Sequence, residues 1–264
     1  MNYLTKKYAQ NVCFLELNRP DKKNALNKEM IRQLIDFFEN SAKSTQFRVL
    51  VIWGKERFFS SGADLQWMKE AARQSKEKNM EEAELFYRLY STLYQYPKPV
   101  ISCVEGGAYG GAIGLMTCSD IAITTPEAKF SFSETKLGLV PAMVAPWIIK
   151  KTGIAFARQA FLSGFTFSGE TAQQHNLVQL LFSHDEIIPK TRELAVRIAN
   201  NSPNAISETK KLLNTIDDRI VPIDDDLTRY CASMIADARS SLEGQEGVNA
   251  FFENRKPFWN KNHE

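Results

Sequence analysis

The sequence predicts a large α/β domain, strand-rich at first and helical later, and three observations carry that prediction. Short runs rich in apolar and β-branched residues at 12–18, 48–53, 100–104 and 121–124 read as strands. Helical stretches at 28–42 and 85–94 separate the first three runs, and alternating strands and helices of this kind stack as βα units on a mostly parallel sheet. After Pro141 the character changes, and 145–151, 155–162, 170–174, 185–200, 205–215, 224–239 and 244–254 all read as helices. With 264 residues, 44% hydrophobic and 24% charged, the chain has the material for one large domain with a helical appendage.

The elements have local causes. VCFLELN at 12–18 alternates at Phe14, Glu16 and Asn18, and Arg19-Pro20-Asp21 turns the chain. Asn27 is placed to cap the helix over 28–42, whose Met30, Leu34, Phe37 and Phe38 share one face. The run 48–53 is a buried strand ending at Gly54; Ser60-Ser61-Gly62 forms a loop, and Ala63 opens a helical stretch with Leu65, Trp67 and Met68. Residues 70–84, rich in Lys, Glu, Gln and Asn, read as a solvated helix or loop, and 85–94 as an amphipathic helix stopped by Pro97. Ser168 with Thr171, and Ser202 before Pro203, mark helix starts. A boundary near residue 200 divides a core, 1–200, from a C-terminal helical region, 201–264.

The organising stretch is 98–141. The strand at 100–104 runs into Gly106, Gly107, Gly110 and Gly111, and 111–118 reads as a buried helix of small apolar residues. A strand that passes through a glycine turn into a helix gathers unpaired backbone N–H groups at one point, which suits negative charge, including charge present only in a transition state. Tight packing alone would also use such glycines. GGAYGG lacks the spacing of a dinucleotide loop, and no GK[ST] is present.

Composition narrows the remaining classes. A net charge of +2 with no dense basic stripe argues against nucleic acid as a partner. Cys13, Cys103, Cys118 and Cys231 lack CxxC spacing and are expected as buried free thiols in a reducing compartment. The N-terminal residues have neither a signal core nor transit character, and no apolar window is long enough for a membrane span, so a cytoplasmic protein is expected. His175, His184 and His263 show no metal spacing, and no metal is expected.

Four segments, in order and spacing, resemble the crotonase family of enoyl-CoA hydratases and isomerases: SSGADL at 60–65, KPVISCVEGGAYGGAIGL at 98–115, SFSETKLGLVP at 131–141 and FLSGFTFSGETAQQHNLV at 161–178. The likeness extends from NRPDKKNALN at 18–27 to EGVNAFFENRKPFW at 246–259. It implies a crotonase-like ββα superhelix with a C-terminal helical trimerisation region, assembled as a homotrimer or a hexameric dimer of trimers. It also implies an acyl-CoA thioester substrate whose carbonyl oxygen sits between the N–H groups of Ala63 and Gly111, with Glu134 as a catalytic glutamate and no cofactor beyond the substrate's own coenzyme A. CoA is expected along Lys23, Ala25, Ser61, Asp64, Leu65 and Gln66, with Ala142 beside the acyl group.

One position departs from the common pattern. Gly114 stands where the family's first glutamate is usual, and is expected to leave room for a branch or a second, distal carboxylate on the substrate. SSGADLQWM, GGAIGLMTCSD and SETKLGLVPAMVAPWIIK are similar to a bacterial branch of hydratases acting on methylglutaconyl-CoA in leucine breakdown or isohexenylglutaconyl-CoA in terpenoid breakdown. That branch shares the glycine and the Pro-Ala pair found here at Pro141-Ala142. The implied activity is addition of water across the 2,3-double bond of a C3-branched enoyl-CoA by a single glutamate. The alternatives are a Δ3,Δ2-enoyl-CoA isomerase using the same glutamate, and a non-catalytic acyl-CoA- or RNA-binding module.

Overall fold

A hairpin begins the chain. Strands β1 (Leu4–Ala9) and β2 (Val12–Leu17) pair antiparallel with Leu4 opposite Leu17, and the turn residues Gln10 and Asn11 both take positive φ, 51° and 60°. Two successive positive φ values give the hairpin turn that matches strand twist. Sequence patterning misses β1 because it is an edge strand in which only Leu4 is buried. The computed structural model describes residues 2–71, 74–218 and 241–260.

Four further strands, β3 (Val49–Gly54), β4 (Val100–Val104), β6 (Ile121–Thr124) and β9 (Leu180–Leu181), extend the sheet in parallel, in the order β1-β2-β3-β4-β6-β9. The short strands β5 (Gly107–Tyr109), β7 (Lys129–Ser131) and β8 (Thr166–Ser168) form a second sheet, β5-β7-β8, that the sequence reading does not assign. The helices are α1 (Lys28–Ser41), α2 (Leu65–Ala71), α3 (Lys76–Tyr94), α4 (Gly111–Thr117), α5 (Ala145–Ser163), α6 (Gly169–Gln174), α7 (Ile187–Ala199), α8 (Pro203–Asp218) and α9 (Leu242–Phe252).

The large sheet is buried on both faces. Leu50 and Ile52 point to a core built with Met30, Leu34 and Phe38 of α1 and Leu89, Tyr90 and Leu93 of α3. Val49 and Val51 point the other way, against Ile187, Ala195 and Ala199 of α7. This is why the strand sequences are continuously apolar rather than alternating. Asn27 caps α1 as expected, its side chain accepting from the N–H of Met30 at 2.8 Å.

Several boundaries differ from the sequence reading. Helix α3 starts at Lys76 and takes in most of the polar stretch assigned above to a solvated segment. The span 145–163 labelled α5 is broken by a kink at Gly153, whose φ of 78° is non-helical, so the two helices expected at 145–151 and 155–162 are both present. The expected helix at 224–239 lies outside the described residues, as does Cys231. Cys13, Cys103 and Cys118 are free and buried. Beyond residue 200, α8 is tied to the core: the Lys210 ammonium donates to Asp120 at 2.8 Å and to the Lys98 carbonyl at 3.2 Å. Among the described residues, no helix is long and apolar enough to cross a membrane.

Candidate active site

Two backbone loops converge at one point. Gly62, at φ 88°, lies so close to Tyr109 that a Cβ would stand 2.5 Å from its carbonyl oxygen, and that same Cβ would be 3.8 Å from the Gly111 nitrogen. Only a glycine allows this approach. The register is held on both sides, since Leu26 donates to the Gly62 carbonyl at 2.7 Å and Asp64 donates to the Leu26 carbonyl at 3.0 Å. Between them, the N–H of Ala63 has no partner among the described residues. Gly110, at φ 47°, turns the other loop into α4, and the N–H of Gly111 is likewise unpaired. It is one of the donors that the first turn of a helix leaves over.

Glu134 completes the cluster. It opens a 3-10 turn, Glu134–Leu137, with its Oε1 packed against Gly110, 3.0 Å from where a Cβ would stand. Its Oε2 is buried without a hydrogen-bond partner. Burial pushes the carboxyl pKa above its ordinary value, opposed in part by a hydrogen bond from its own backbone N–H. A carboxyl group held this way is better suited to take up and return a proton than an ordinary solvated glutamate.

A cavity of about 360 Å³ brings together Ser61, Ala63, Leu65, Gly111, Glu134 and Ala142. Trp67 and Met68 also line it, and the Trp67 ring stacks on Phe86 at 5.5 Å. The remaining expected residues lie off the cavity wall. Asp64 is not on the cavity wall; its Oδ1 accepts from the N–H groups of Gln66 and Trp67 at 2.8 and 3.0 Å, capping α2, and its Oδ2 lies 2.6 Å from Arg19. Ala25 is buried away from the wall, and Lys23 and Gln66 are exposed outside it. The Gln66 amide donates to Glu70 at 3.1 Å. The segments 23–26 and 61–66 do lie together, with the N–H of Ser61 donating to the Lys23 carbonyl at 2.9 Å.

Gly114 requires a correction. It does not open space for a substrate branch, because a Cβ there would come within 2.6 Å of Tyr90 Cζ and 2.8 Å of Val144 Cγ1. Protein side chains already fill that position. Tyr90 is itself fully buried, lines the cavity, and donates its hydroxyl hydrogen to the Gly111 carbonyl at 2.7 Å.

Sequence reasoning misses Glu82, Phe86 and Tyr90, which all line the cavity from α3. Their spacing of four is a legible signal, since residues four apart share a helix face. It is lost when 70–84 and 85–94 are taken as separate segments. Glu82 is buried and accepts from Lys28 and from the Trp67 indole, both at 2.5 Å. Burial acts to raise its pKa, but the bonds from Lys28 and Trp67 prevail and hold the carboxyl below its ordinary value.

Two unpaired donors and one buried carboxyl group on the wall of a single cavity are the kind of groups that can stabilise an enolate while a proton moves. Each such donor contributes about 3 kcal/mol to the transition state in comparable sites. Comparison with known proteins shows what the chain is similar to. The sequence profile of the enoyl-CoA hydratase/isomerase family matches residues 7–262. A 2,3-dehydroadipyl-CoA hydratase from Escherichia coli K12 is 31% identical over 258 residues, covering 97% of this chain and 98% of the relative. A mitochondrial Δ(3,5)-Δ(2,4)-dienoyl-CoA isomerase from Dictyostelium discoideum is 28% identical, over 98% and 91% of the two chains. The crystal structure of an enoyl-CoA hydratase from Shewanella pealeana superposes with a TM-score of 0.92 at 36% identity, covering 98% of this chain and 96% of that one.

Proposed function

The chain belongs to the enoyl-CoA hydratase/isomerase family, and from that premise we propose that it hydrates a C3-branched 2-enoyl-CoA, with Ala63 and Gly111 holding the thioester oxygen and Glu134 as the single working glutamate. The observation that carries this reading is the convergence of two unpaired backbone N–H groups and the unpartnered Oε2 of Glu134 on one cavity. Glu134 takes a proton from water as its oxygen attacks C3. Charge develops on the thioester oxygen, where the N–H groups of Ala63 and Gly111 stabilise it. The protonated carboxyl then returns a proton to C2, completing the addition of water.

The branch is supported by the resemblance to hydratases of the methylglutaconyl type and by small Ala142 and adaptable Met143 on the cavity wall. A distal carboxylate meets a less favourable surface. Glu82 and Glu134 are the acidic side chains on the wall, and no Lys or Arg lines it among the described residues. Lys136 is exposed, with its chain lying beside Gly164. The lining therefore favours an uncharged branch over a terminal charge.

Incubation with methylglutaconyl-CoA, and separately with an analogue carrying a methyl group in place of the distal carboxylate, in heavy-oxygen water tests the proposal. Heavy oxygen at C3 of the product is expected, at a higher rate with the uncharged analogue. An unlabelled product with a shifted double bond would establish the isomerase instead. Tight binding of both esters without product would establish a binding module.

A further inference from the structure

The place of the family's first glutamate is physically occupied, and the occupant comes from a different helix. Gly111 and Gly114 lie one turn apart on α4, and Tyr90 of α3 packs against both. Its Cζ would be 2.6 Å from a Cβ at Gly114, and its hydroxyl oxygen 3.1 Å from a Cβ at Gly111. Phe86 closes the same flank, 2.9 Å from a Cβ at Gly111, and its ring lies 5.9 Å from that of Tyr90. The two glycines are what admit the aromatic wedge.

The wedge makes one directed bond. The Tyr90 hydroxyl donates to the carbonyl of Gly111, a residue on the cavity wall. That carbonyl belongs to the 111–112 peptide and the Gly111 N–H to the peptide before it, so the bond acts on the first turn of α4 rather than on the N–H itself. A glycine has wide conformational freedom; holding its carbonyl from the neighbouring helix, with the Tyr90 and Phe86 rings packed beside it, limits that freedom, and oxyanion donors act only when preorganised.

We infer that Tyr90 is a positioning residue that takes over the post of the missing carboxylate, holding the first turn of α4 so that Gly111 keeps the backbone conformation that presents its N–H to the thioester oxygen. The inference rests on the function proposed above. Tyr90 moves no proton itself: burial first, then the neighbouring Cys118 and Glu134, hold its phenol well above its ordinary pKa. Proton transfer stays with Glu134.

The test separates this inference from the function it rests on. A 2-enoyl-CoA labelled with carbon-13 at the thioester carbonyl is bound to Glu134→Gln, which holds it unreacted, and the carbonyl stretch is read by difference infrared spectroscopy. A shift to lower wavenumber is expected on binding, and its absence would overturn the oxyanion site itself. Adding Tyr90→Phe is expected to cut that shift by at least half. In the otherwise unaltered enzyme, Tyr90→Phe is expected to lower kcat at least tenfold with KM within threefold. Incorporation of 3-fluorotyrosine at position 90, which keeps the ring and the hydroxyl, should restore both the shift and kcat. If Tyr90→Phe leaves the carbonyl shift intact, Tyr90 is packing only. If the fluorotyrosine enzyme, which retains the hydroxyl, behaves like the phenylalanine variant, the hydroxyl is not the agent, and the inference is equally lost.

Discussion

The wall of the cavity that carries Glu134 and the wall that carries Glu82 each present a buried carboxyl group, and they treat it in opposite ways. Glu134 has an Oε2 with no partner, and burial raises its pKa. Glu82 is gripped by Lys28 and Trp67, and those bonds hold its pKa down. A carboxyl group with one oxygen left unpartnered can exchange protons with a substrate, whereas one already neutralised by a lysine is part of the scaffold. Environments that push two acids apart in this way identify which of them does the chemistry.

The largest expected effect lies on the Glu134 wall. Glu134→Gln should lower kcat by about 1,000-fold, or about 4 kcal/mol in barrier height, because it removes the proton carrier. Affinity for a CoA ester, measured by titration calorimetry, should change by less than about threefold, within the spread of a lost weak contact. Equal losses in both would make Glu134 structural and erase the contrast with Glu82.

Gly114→Ala comes next. Its Cβ would meet Tyr90 and Val144 at under 3 Å, and overpacking of this kind costs about 1–3 kcal/mol. The result should be a lower Tm. Gly114→Glu should lower it further, and not retune the cavity toward straight-chain substrates. A wild-type Tm for both would mean that the α3 wall yields easily.

Glu82→Gln should cost about 1–2 kcal/mol, since it weakens the bonds to Lys28 and Trp67, while kcat stays within about threefold. Loss of turnover with an unchanged Tm would reverse the assignment of the two acids.

The smallest effect is one of pH. The folded pKa of Glu134 is raised, so its base form, and kcat/KM with it, is present above that pKa and lost as pH falls through it. The acid limb should therefore sit above the ordinary glutamate value of about 4.3 and disappear in Glu134→Gln. For Glu82 the sign is reversed. Its folded pKa is lowered, so its stabilising contribution is present above the unfolded value and lost as pH falls through the folded one. A thermal-denaturation series against pH for wild type and Glu82→Gln reads that difference directly.

Local features were legible before any coordinates. The Asn27 cap of α1, the close turns at Gly62 and Gly111 and the SFSETKLG segment act through backbone conformation and short-range spacing, and those depend on neighbours in the chain. Strands buried on both faces announce themselves as apolar runs for the same reason. β1 and the small sheet were not legible, because an edge strand with one buried residue and strands of three residues have too little pattern to register.

The α3 wall belongs to the tertiary structure. Sequence alone determines that Glu82, Phe86 and Tyr90 share a helix face once the helix is known to begin at Lys76, but not what the face meets. That Gly114 is closed by Tyr90 and Val144, and that Asp64 turns to Arg19 and caps α2, follow from contacts between segments far apart in the chain. Spacing specifies which backbone groups can be left unpaired. Packing between distant helices decides which side chains reach them, because excluded volume acts in space and takes no account of separation along the sequence.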